Sequence, residues 1–266
     1  MCLILFSISP DPEHTLVVAA NRDEFYGRAT QRPAYWPGEA HILGGRDLQA
    51  GGTWLGVTHT GRFAAVTNFR ETPVEPVPPR SRGALTADFL RSNESCLDYI
   101  ERLKPIAAEF RGFNLLLNDG LATYYYSNRH SAYSNRHSVD PDPAAGSATL
   151  PGGTSPRRLA PGFYGLSNQL LDCDWPKVSS GRAQLQALAP AGFPAQALFE
   201  LLADRGDQTP FSARFIQQSE SYGTSASTVV KIKAQQVYFE ERAFLPMGVA
   251  GERNVFDFAV MPLAVT

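Results

Sequence analysis

Residues 2–24 read CLILFSISPDPEHTLVVAANRDE, and this stretch decides the fold. Two apolar runs, residues 3–8 and 16–20, flank a turn that is rich in proline and acidic residues. Continuous apolar runs of this length are typical of strands that are buried on both faces. The sequence therefore predicts an antiparallel hairpin in which Cys2 lies opposite Arg22, beside the acidic residues that follow it.

The composition excludes several classes of protein. The 266 residues carry 24 Lys+Arg and 26 Asp+Glu, a net charge of −2, and 43% of them are apolar. This composition argues against disorder and gives no general reason to bind nucleic acid. Three cysteines do not form a disulfide framework, so we expect a reducing, cytoplasmic location. No apolar run of about 18 residues occurs, so no transmembrane segment is predicted.

Arginine dominates the basic residues, with 20 Arg and four Lys. The rigid, bidentate guanidinium suits anionic ligands, although a coding bias would explain the same excess.

The remaining pattern alternates between strands and helices. Apolar runs and proline-led helical segments predict two more hairpins over 53–68 and 113–126, helices near 83, over 97–106, 177–188 and 195–203, and strands over 228–232, 237–240 and 255–260. This order predicts an α+β layered domain with largely antiparallel sheets. We expect residues 1–266 to form a single domain.

Residues 126–131 are repeated at 133–138, and a long loop is predicted over 139–162. A tandem copy of this length is too short for a solenoid, so we interpret it as a local duplication of which one copy matters.

Cys2 is the sharpest candidate for chemistry. Removal of Met1 would leave an α-amine, with a pKa of about 7.7–8, on the same residue as a thiol, so that nucleophile and base are adjacent. The alternative is a small apolar residue at the start of a strand. Arg22 would favour the thiolate, and the carboxylate of Asp23 could orient the amine. A salt-bridged strand end is the alternative for that pair.

Two Asn residues extend this set. Asn68 ends the second predicted hairpin, and Asn168 follows a short Tyr-Gly-Leu-Ser segment. Asn side chains can donate to a developing oxyanion, which is worth roughly 2.7–4 kcal/mol per donor, and turn formation is the alternative. The five histidines show no metal-ligand spacing, so no metal site is predicted. Cys96 and Cys173 are expected to be bystanders.

Several motifs together resemble the NRDE family, also called the transport and Golgi organisation protein 2 family. The resemblance covers nearly the whole chain, and it is most specific in the first 70 residues. The motifs that carry it are Asn21-Arg22-Asp23-Glu24, Gly44-Gly45-Arg46-Asp47, Gly51-Gly52-Thr53-Trp54, Val66-Thr67-Asn68, Ser81-Arg82-Gly83, Ser167-Asn168, Trp175-Pro176-Lys177 and Tyr222-Gly223-Thr224.

The resemblance implies an N-terminal-nucleophile hydrolase-like fold, a four-layer αββα sandwich with two stacked antiparallel sheets. It also implies a distant similarity to bile-salt and penicillin V acylases, in which an N-terminal Cys attacks an amide. Carried over by motif, the catalytic roles fall on Cys2, Arg22, Asp23, Asn68 and Asn168. We expect the ligand to contact Asn21, Glu24, Trp54 and Arg70.

One departure separates this chain from the acylases. Ser225 stands where the resemblance leads us to expect an Arg, which argues against strong amidase activity. Two functions therefore compete at this point. The first is a cysteine amidohydrolase that acts on a small amide or acyl compound and requires no cofactor. The second is a non-catalytic carrier of haem or an acyl ligand, because eukaryotic relatives are linked to haem movement and lipid metabolism.

Overall fold

The computed structural model describes residues 2–71, 80–129, 154–217 and 219–261. The strands in these ranges are β1 (Cys2–Ile8), β2 (His14–Phe25), β3 (Thr30–Trp36), β4 (Glu39–Asp47), β5 (Leu55–Thr58), β6 (Phe63–Asn68), β7 (Phe113–Asn118), β8 (Thr123–Ser127), β9 (Arg157–Arg158), β10 (Gly162–Leu166), β11 (Tyr222–Lys233), β12 (Gln236–Leu245) and β13 (Val249–Ala259). The α-helices are α1 (Gly83–Arg91), α2 (Cys96–Leu103), α3 (Pro176–Ala187) and α4 (Ala195–Leu202).

The strands form two antiparallel sheets that pack face to face. The first sheet has the order β10-β1-β2-β11-β12-β13, and the second has the order β3-β4-β5-β6-β7-β8-β9. One apolar core lies between the sheets and includes Phe6 and Phe63. A second core lies between the second sheet and helices α1 and α2, and a third lies between the first sheet and helices α3 and α4. The predicted α+β, four-layer αββα sandwich is confirmed.

The opening hairpin has the predicted register. Cys2 pairs with Arg22, and Ile8 pairs with Leu16. The apolar run over residues 3–6 is fully buried because one face meets the central core and the other meets the α3–α4 layer. The first residue of β1 is thereby fixed against the end of β2.

The other predicted hairpins and helices are also present, but four strands were missed. Strands β3 and β4 lack a continuous apolar run, β10 is short and contains two glycines, and β9 has only two residues. Gly44 lies inside β4 rather than in a tight turn. A Cβ there would lie 2.9 Å from the carbonyl oxygen of Leu55, so a close backbone approach explains this glycine.

Of the duplicated segment, only residues 126–129 of the first copy are among the described residues. Asn128 Oδ1 accepts from the backbone N–H of Phe113 at 2.8 Å, and its Nδ2 donates to the carbonyl oxygens of Ala107 and Phe110. The second copy and most of the predicted loop over 139–162 lie outside the described residues, although β9 falls within that loop. None of the described helices combines the length and the apolar character needed to cross a bilayer.

Candidate functional site

Three neighbouring strands of the first sheet meet at Cys2. Cys2 pairs with Arg22 across β1 and β2, and Arg22 pairs in turn with Ala226 across β2 and β11. The pairing of β11 then skips Ser225, which forms a β-bulge. Ser225 consequently sits beside Arg22, whose Nη1 donates to the serine Oγ at 3.2 Å. The position at which the acylases lead us to expect an Arg thus holds a hydroxyl that contacts the arginine of β2.

The backbone of Cys2 is held by the Ser167-Asn168 dipeptide. The Cys2 nitrogen donates to Asn168 Oδ1 at 2.9 Å, and Ser167 Oγ donates to the Cys2 carbonyl oxygen at 2.7 Å. Asn168 Nδ2 donates to the carbonyl oxygen of Asn68 at 2.8 Å, and Thr67 Oγ1 donates to that of Ser167 at 2.6 Å. The dipeptide therefore connects β1 of the first sheet to the end of β6 in the second.

The thiol of Cys2 is half-buried, and its environment keeps it protonated. Burial raises the pKa of the thiol, and the charge of Asp23 raises it further. The positive charge of Arg22 and a hydrogen bond from the backbone N–H of Asp23 act in the opposite direction. Because these effects together raise the pKa of the Cys2 thiol, the thiol needs a base before it can attack a carbonyl carbon.

Asp23 is the buried acid of the site, with 4% of its surface exposed. Its Oδ1 accepts from Thr224 Oγ1 at 2.7 Å. Burial raises the pKa of its carboxyl to about 6, while the positive charges of Lys177 and Arg22 oppose that rise. Asp23 is therefore mainly ionised at neutral pH and takes up a proton in mildly acidic solution.

An open cleft with a volume of about 700 Å³, hereafter the Cys2 cleft, lies where the two sheets meet at this end. The predicted site residues that line it are Cys2, Arg22, Asp23, Glu24, Trp54 and Asn68. Asn68, at the end of β6 in the second sheet, is exposed and lines the cleft together with Cys2. Strands of both sheets therefore supply the polar groups around the thiol.

Three predicted site residues lie outside the lining of the cleft. Asn168 contacts Cys2 outside the cleft, by accepting a hydrogen bond from the Cys2 nitrogen. Asn21 is fully buried, and its Nδ2 donates to the carbonyl oxygens of Leu202 and Arg214. Arg70 is exposed, and its guanidinium lies 5.1 Å from the ring centre of Phe211. Asn21 joins the first sheet to the segment after α4, because its side chain points to the sheet face away from the cleft.

Lys177 is a buried cation that the sequence analysis did not single out. It is 1% exposed, and its Nζ has no hydrogen-bond partner within the described ranges. Burial lowers the pKa of its ammonium, whereas the charges of Asp23 and Cys2 raise it. Lys177 lies in the first turn of α3, where the helix dipole disfavours a cation. That unfavourable position and the Trp175-Pro176-Lys177 motif were the sequence signals that could have identified it.

The other two cysteines differ from Cys2. Cys96 is fully buried, and burial raises its pKa well above the ordinary range of a thiol. Cys173 is half-buried, and burial, followed by the charges of Asp174 and Asp172, raises its pKa. In the described part of the chain, no group of three His, Cys, Asp or Glu residues could hold a metal ion.

Two solved structures resemble this chain at low sequence identity. The Caenorhabditis elegans N-acylethanolamine-hydrolyzing acid amidase ortholog is 11% identical, with a TM-score of 0.47, and the match covers 86% of this chain and 92% of that one. A variant of conjugated bile acid hydrolase from Clostridium perfringens is also 11% identical, with a TM-score of 0.43 and coverage of 97% and 92%.

Sequence relatives are more similar. A Bos taurus Transport and Golgi organization protein 2 homolog is 32% identical over 281 residues, which cover 92% of this chain and 94% of the relative. The Homo sapiens homolog is 30% identical over 298 residues, covering 98% and 99%. The family model described as Transport and Golgi organisation 2 matches residues 1–246. From these matches and from the motifs around Cys2, the chain belongs to the Transport and Golgi organisation 2 family.

Proposed function

We propose that this chain is an N-terminal-nucleophile cysteine amidohydrolase that acts on a small amide or acyl compound. The observation that supports this most is the hydrogen bond of 2.9 Å from the Cys2 nitrogen to Asn168 Oδ1. Cys2 itself lines the cleft together with Arg22 and Asp23. Once Met1 is removed, that nitrogen is an α-amine already oriented by an acceptor. We include a cytoplasmic location in the proposal, because Cys2, Cys96 and Cys173 are free thiols.

The reaction would proceed in two halves. The α-amine takes the thiol proton, and the thiolate attacks the amide carbonyl carbon, whose π electrons move to oxygen. Asn68, exposed on the opposite wall, donates to that oxyanion. The C–N bond then breaks, the departing amine takes the proton from the α-ammonium, and a thioester on Cys2 remains. Water, deprotonated by the same amine, hydrolyses the thioester and restores the thiol.

The test is acylation of Cys2 by an activated acyl ester, followed by intact mass and peptide mapping. We expect the purified protein to lack Met1 and to gain one acyl group on Cys2. The Cys173→Ala variant should label like the wild type, since Cys173 is the other half-buried thiol, and Cys2→Ala should not label. Retention of Met1, or equal labelling of the Cys2→Ala variant, would refute the mechanism.

A second variant separates the amine from the thiol. A chain with extra residues placed before Cys2 keeps the thiol but converts the amine into an amide that cannot accept a proton. We expect its labelling and turnover to fall to the level of the Cys2→Ala variant. Unchanged turnover would exclude the α-amine as the base.

The second candidate function is a non-catalytic carrier of haem or an acyl ligand. Two observations favour it: Ser225 stands where an acylase Arg is expected, and the volume of the Cys2 cleft suits a flat, carboxylate-bearing molecule. Titration of the protein with haem, followed by its absorption band, tests this function. Saturable binding by both the wild type and Cys2→Ala, without acylation, would favour the carrier. Binding no tighter than to an unrelated protein would exclude haem.

A further inference from the structure

The Cys2 cleft concentrates positive charge on a chain whose net charge is negative. Its lining contains four acidic residues, Asp23, Glu24, Asp47 and Glu241, and seven arginines, Arg22, Arg28, Arg32, Arg46, Arg80, Arg82 and Arg111. Burial also raises the pKa of Asp23 to about 6 and that of Glu241 to about 7, so the acids compensate only part of this charge near neutral pH. A cleft with this excess attracts anions.

Three of the seven arginines already have acidic partners. Arg22 lies 3.4 Å from Glu24, and Arg28 Nη2 lies 2.6 Å from Asp47. Arg80 lies 2.9 Å from Glu109, which is outside the lining. These three guanidinium groups have less capacity left for a ligand.

Arg82 and Arg111 are different. Arg82 is only partly exposed, and its Nη1 donates to the carbonyl oxygen of Gly112 at 3.1 Å. Burial lowers the pKa of Arg82, and the nearby positive charge of Arg111 lowers it further. The Nε of Arg111 is buried without a hydrogen-bond partner in the part of the chain that the structure describes. The charge of Glu71 opposes these effects on the pKa of Arg82, but the Glu71 carboxylate is already bound by Arg129 and by the Gly112 N–H. Two guanidinium groups thus lie close together, and neither forms an ion pair, among the described residues, with an acid that lines the cleft.

The start of α1 adds positive potential at the same place. Arg82 occupies the N-cap position of α1, and the first turn holds no acidic residue. The N–H groups of Gly83, Ala84 and Leu85 are bound by Ser81 Oγ and by the carbonyl oxygens of Ser81 and Arg82, so they are not free for a ligand. The positive end of the helix dipole has no carboxylate to neutralise it and favours negative charge nearby. Gly83, the first residue of α1, lines the cleft.

The backbone around Arg82 is rigid. A Cβ on Gly52 would lie 2.2 Å from the carbonyl oxygen of Gly83, so the start of α1 packs directly on the 51–53 backbone. The Thr53 N–H donates to Gly83 O at 3.1 Å, and the Thr86 hydroxyl donates to the Thr53 carbonyl oxygen. A preorganised pair of guanidinium groups loses little entropy when it binds a planar or tetrahedral acid.

We propose that the Cys2 cleft binds a ligand with an acidic group, a carboxylate or a phosphate, and that Arg82 and Arg111 form the subsite for that group. Cys2, Arg82 and Arg111 line the same cleft, so the subsite and the thiol share one cavity. The inference rests on the proposed function only in making this cleft the ligand site. If Cys2 is a nucleophile, the substrate is an acyl compound with an acidic end.

Binding to Cys2→Ala protein tests the subsite without turnover. The probes are N-decanoylglycine, N-decanoylphosphoethanolamine and the neutral N-decanoylglycinamide, measured by calorimetry at fixed ionic strength. We expect one or both acidic probes to bind, and the amide to bind at least about tenfold more weakly, since hydrogen bonds to charged groups are worth about 1.5–3 kcal/mol. The tighter acidic probe identifies the group as carboxylate or phosphate. Equal binding of the neutral amide, or no binding of either acidic probe, would overturn the inference.

Matched variants locate the subsite. Arg111→Gln should weaken acidic probes about 10- to 100-fold, and Arg80→Gln, which alters a cleft arginine paired with Glu109, should change binding less than threefold. Arg111→Lys keeps the charge and serves as the folding control, with binding expected between the two. Equal losses of probe affinity in Arg80→Gln and Arg111→Gln would show that the ligand responds only to the overall positive charge of the cleft, and would overturn the subsite. Failed acylation of Cys2 with intact probe binding would refute the hydrolase alone.

Discussion

Glu241 provides a quantitative test of the electrostatics of the cleft. It lies in β12, is 7% exposed, and its Oε2 accepts from Thr228 Oγ1 at 3.2 Å. Burial raises the pKa of its carboxyl from 4.5 to about 7, against the opposing charges of Arg32 and Arg22. The substitution Glu241→Gln removes the ionisable group and keeps the shape of the side chain.

The free energy of unfolding follows from that difference in pKa. One pKa unit corresponds to about 1.4 kcal/mol, so the change from 4.5 to about 7 corresponds to about 3 kcal/mol. The folded protein holds its proton more tightly than the unfolded chain. This contribution is therefore present below pH 4.5 and is lost as the pH rises through 7. The Glu241→Gln variant has no carboxyl group to ionise and does not lose this contribution. Its free energy of unfolding relative to that of the wild type should therefore rise by about 3 kcal/mol between pH 4 and pH 8.

Urea unfolding at pH 4, 6 and 8 measures this difference. Glu240→Gln is the matched control, because Glu240 is buried yet its pKa is lowered to about 2 by hydrogen bonds with Arg253, Tyr238 and Arg242. Its carboxylate stabilises the fold above pH 4.5, so this control should destabilise the protein at pH 8. A stability difference for Glu241→Gln that is the same at pH 4 and pH 8 would refute the reasoning.

Three further predictions concern named side chains and close contacts. Gly52→Ala should lower the free energy of unfolding, measured in urea, by about 3 kcal/mol or more, because its Cβ would overlap Gly83. Gly51→Ala, at a position with positive φ but open space, should lower it by about 1–2 kcal/mol. Asn128→Ala should lower the free energy of unfolding by about 3 kcal/mol, because it leaves buried backbone groups unpaired. Asn135→Ala, the same change in the second copy, should lower it less, because Asn128 already makes these bonds. Equal losses in the two variants would contradict the assignment of these bonds to the first copy. Lys177→Met should raise the pKa of Asp23 above about 6 and move the acidic limb of the pH profile of Cys2 labelling to higher pH, while Lys231→Met should not. Coincident pH profiles for the Lys177→Met variant and the wild type would exclude an effect of Lys177 on Asp23.

The opening hairpin could be predicted because both its strands are continuously apolar and one short turn joins them. That pattern fixed the register, and the register alone brought Cys2 next to Arg22. Strands β3 and β4 could not be recognised in the same way, since their exposed edge residues and the glycines of β4 break the apolar pattern. Local pattern therefore recovers buried strands better than strands near a sheet edge.

The chemistry of the cleft was only partly visible in the sequence. Cys2 and Asp23 stand out because they lie at the end of one hairpin. Arg82 and Arg111 are 29 positions apart and belong to no shared motif, so only the packing of α1 against the second sheet shows that they interact. The burial of Lys177 likewise depends on contacts made by α3 and could not follow from the helical pattern around it.

The long separation between Cys2 and its partners has a consequence during synthesis. The Cys2 nitrogen meets Asn168, 166 residues later, and Asp23 meets Thr224, 201 residues later. At about 5–20 residues per second, a ribosome needs on the order of 10 to 40 s to make the intervening chain. During that interval the Cys2 nitrogen lacks its acceptor, and the cleft lacks the residues that β11 contributes. The proposed acylation of Cys2 therefore cannot begin until translation has delivered β11.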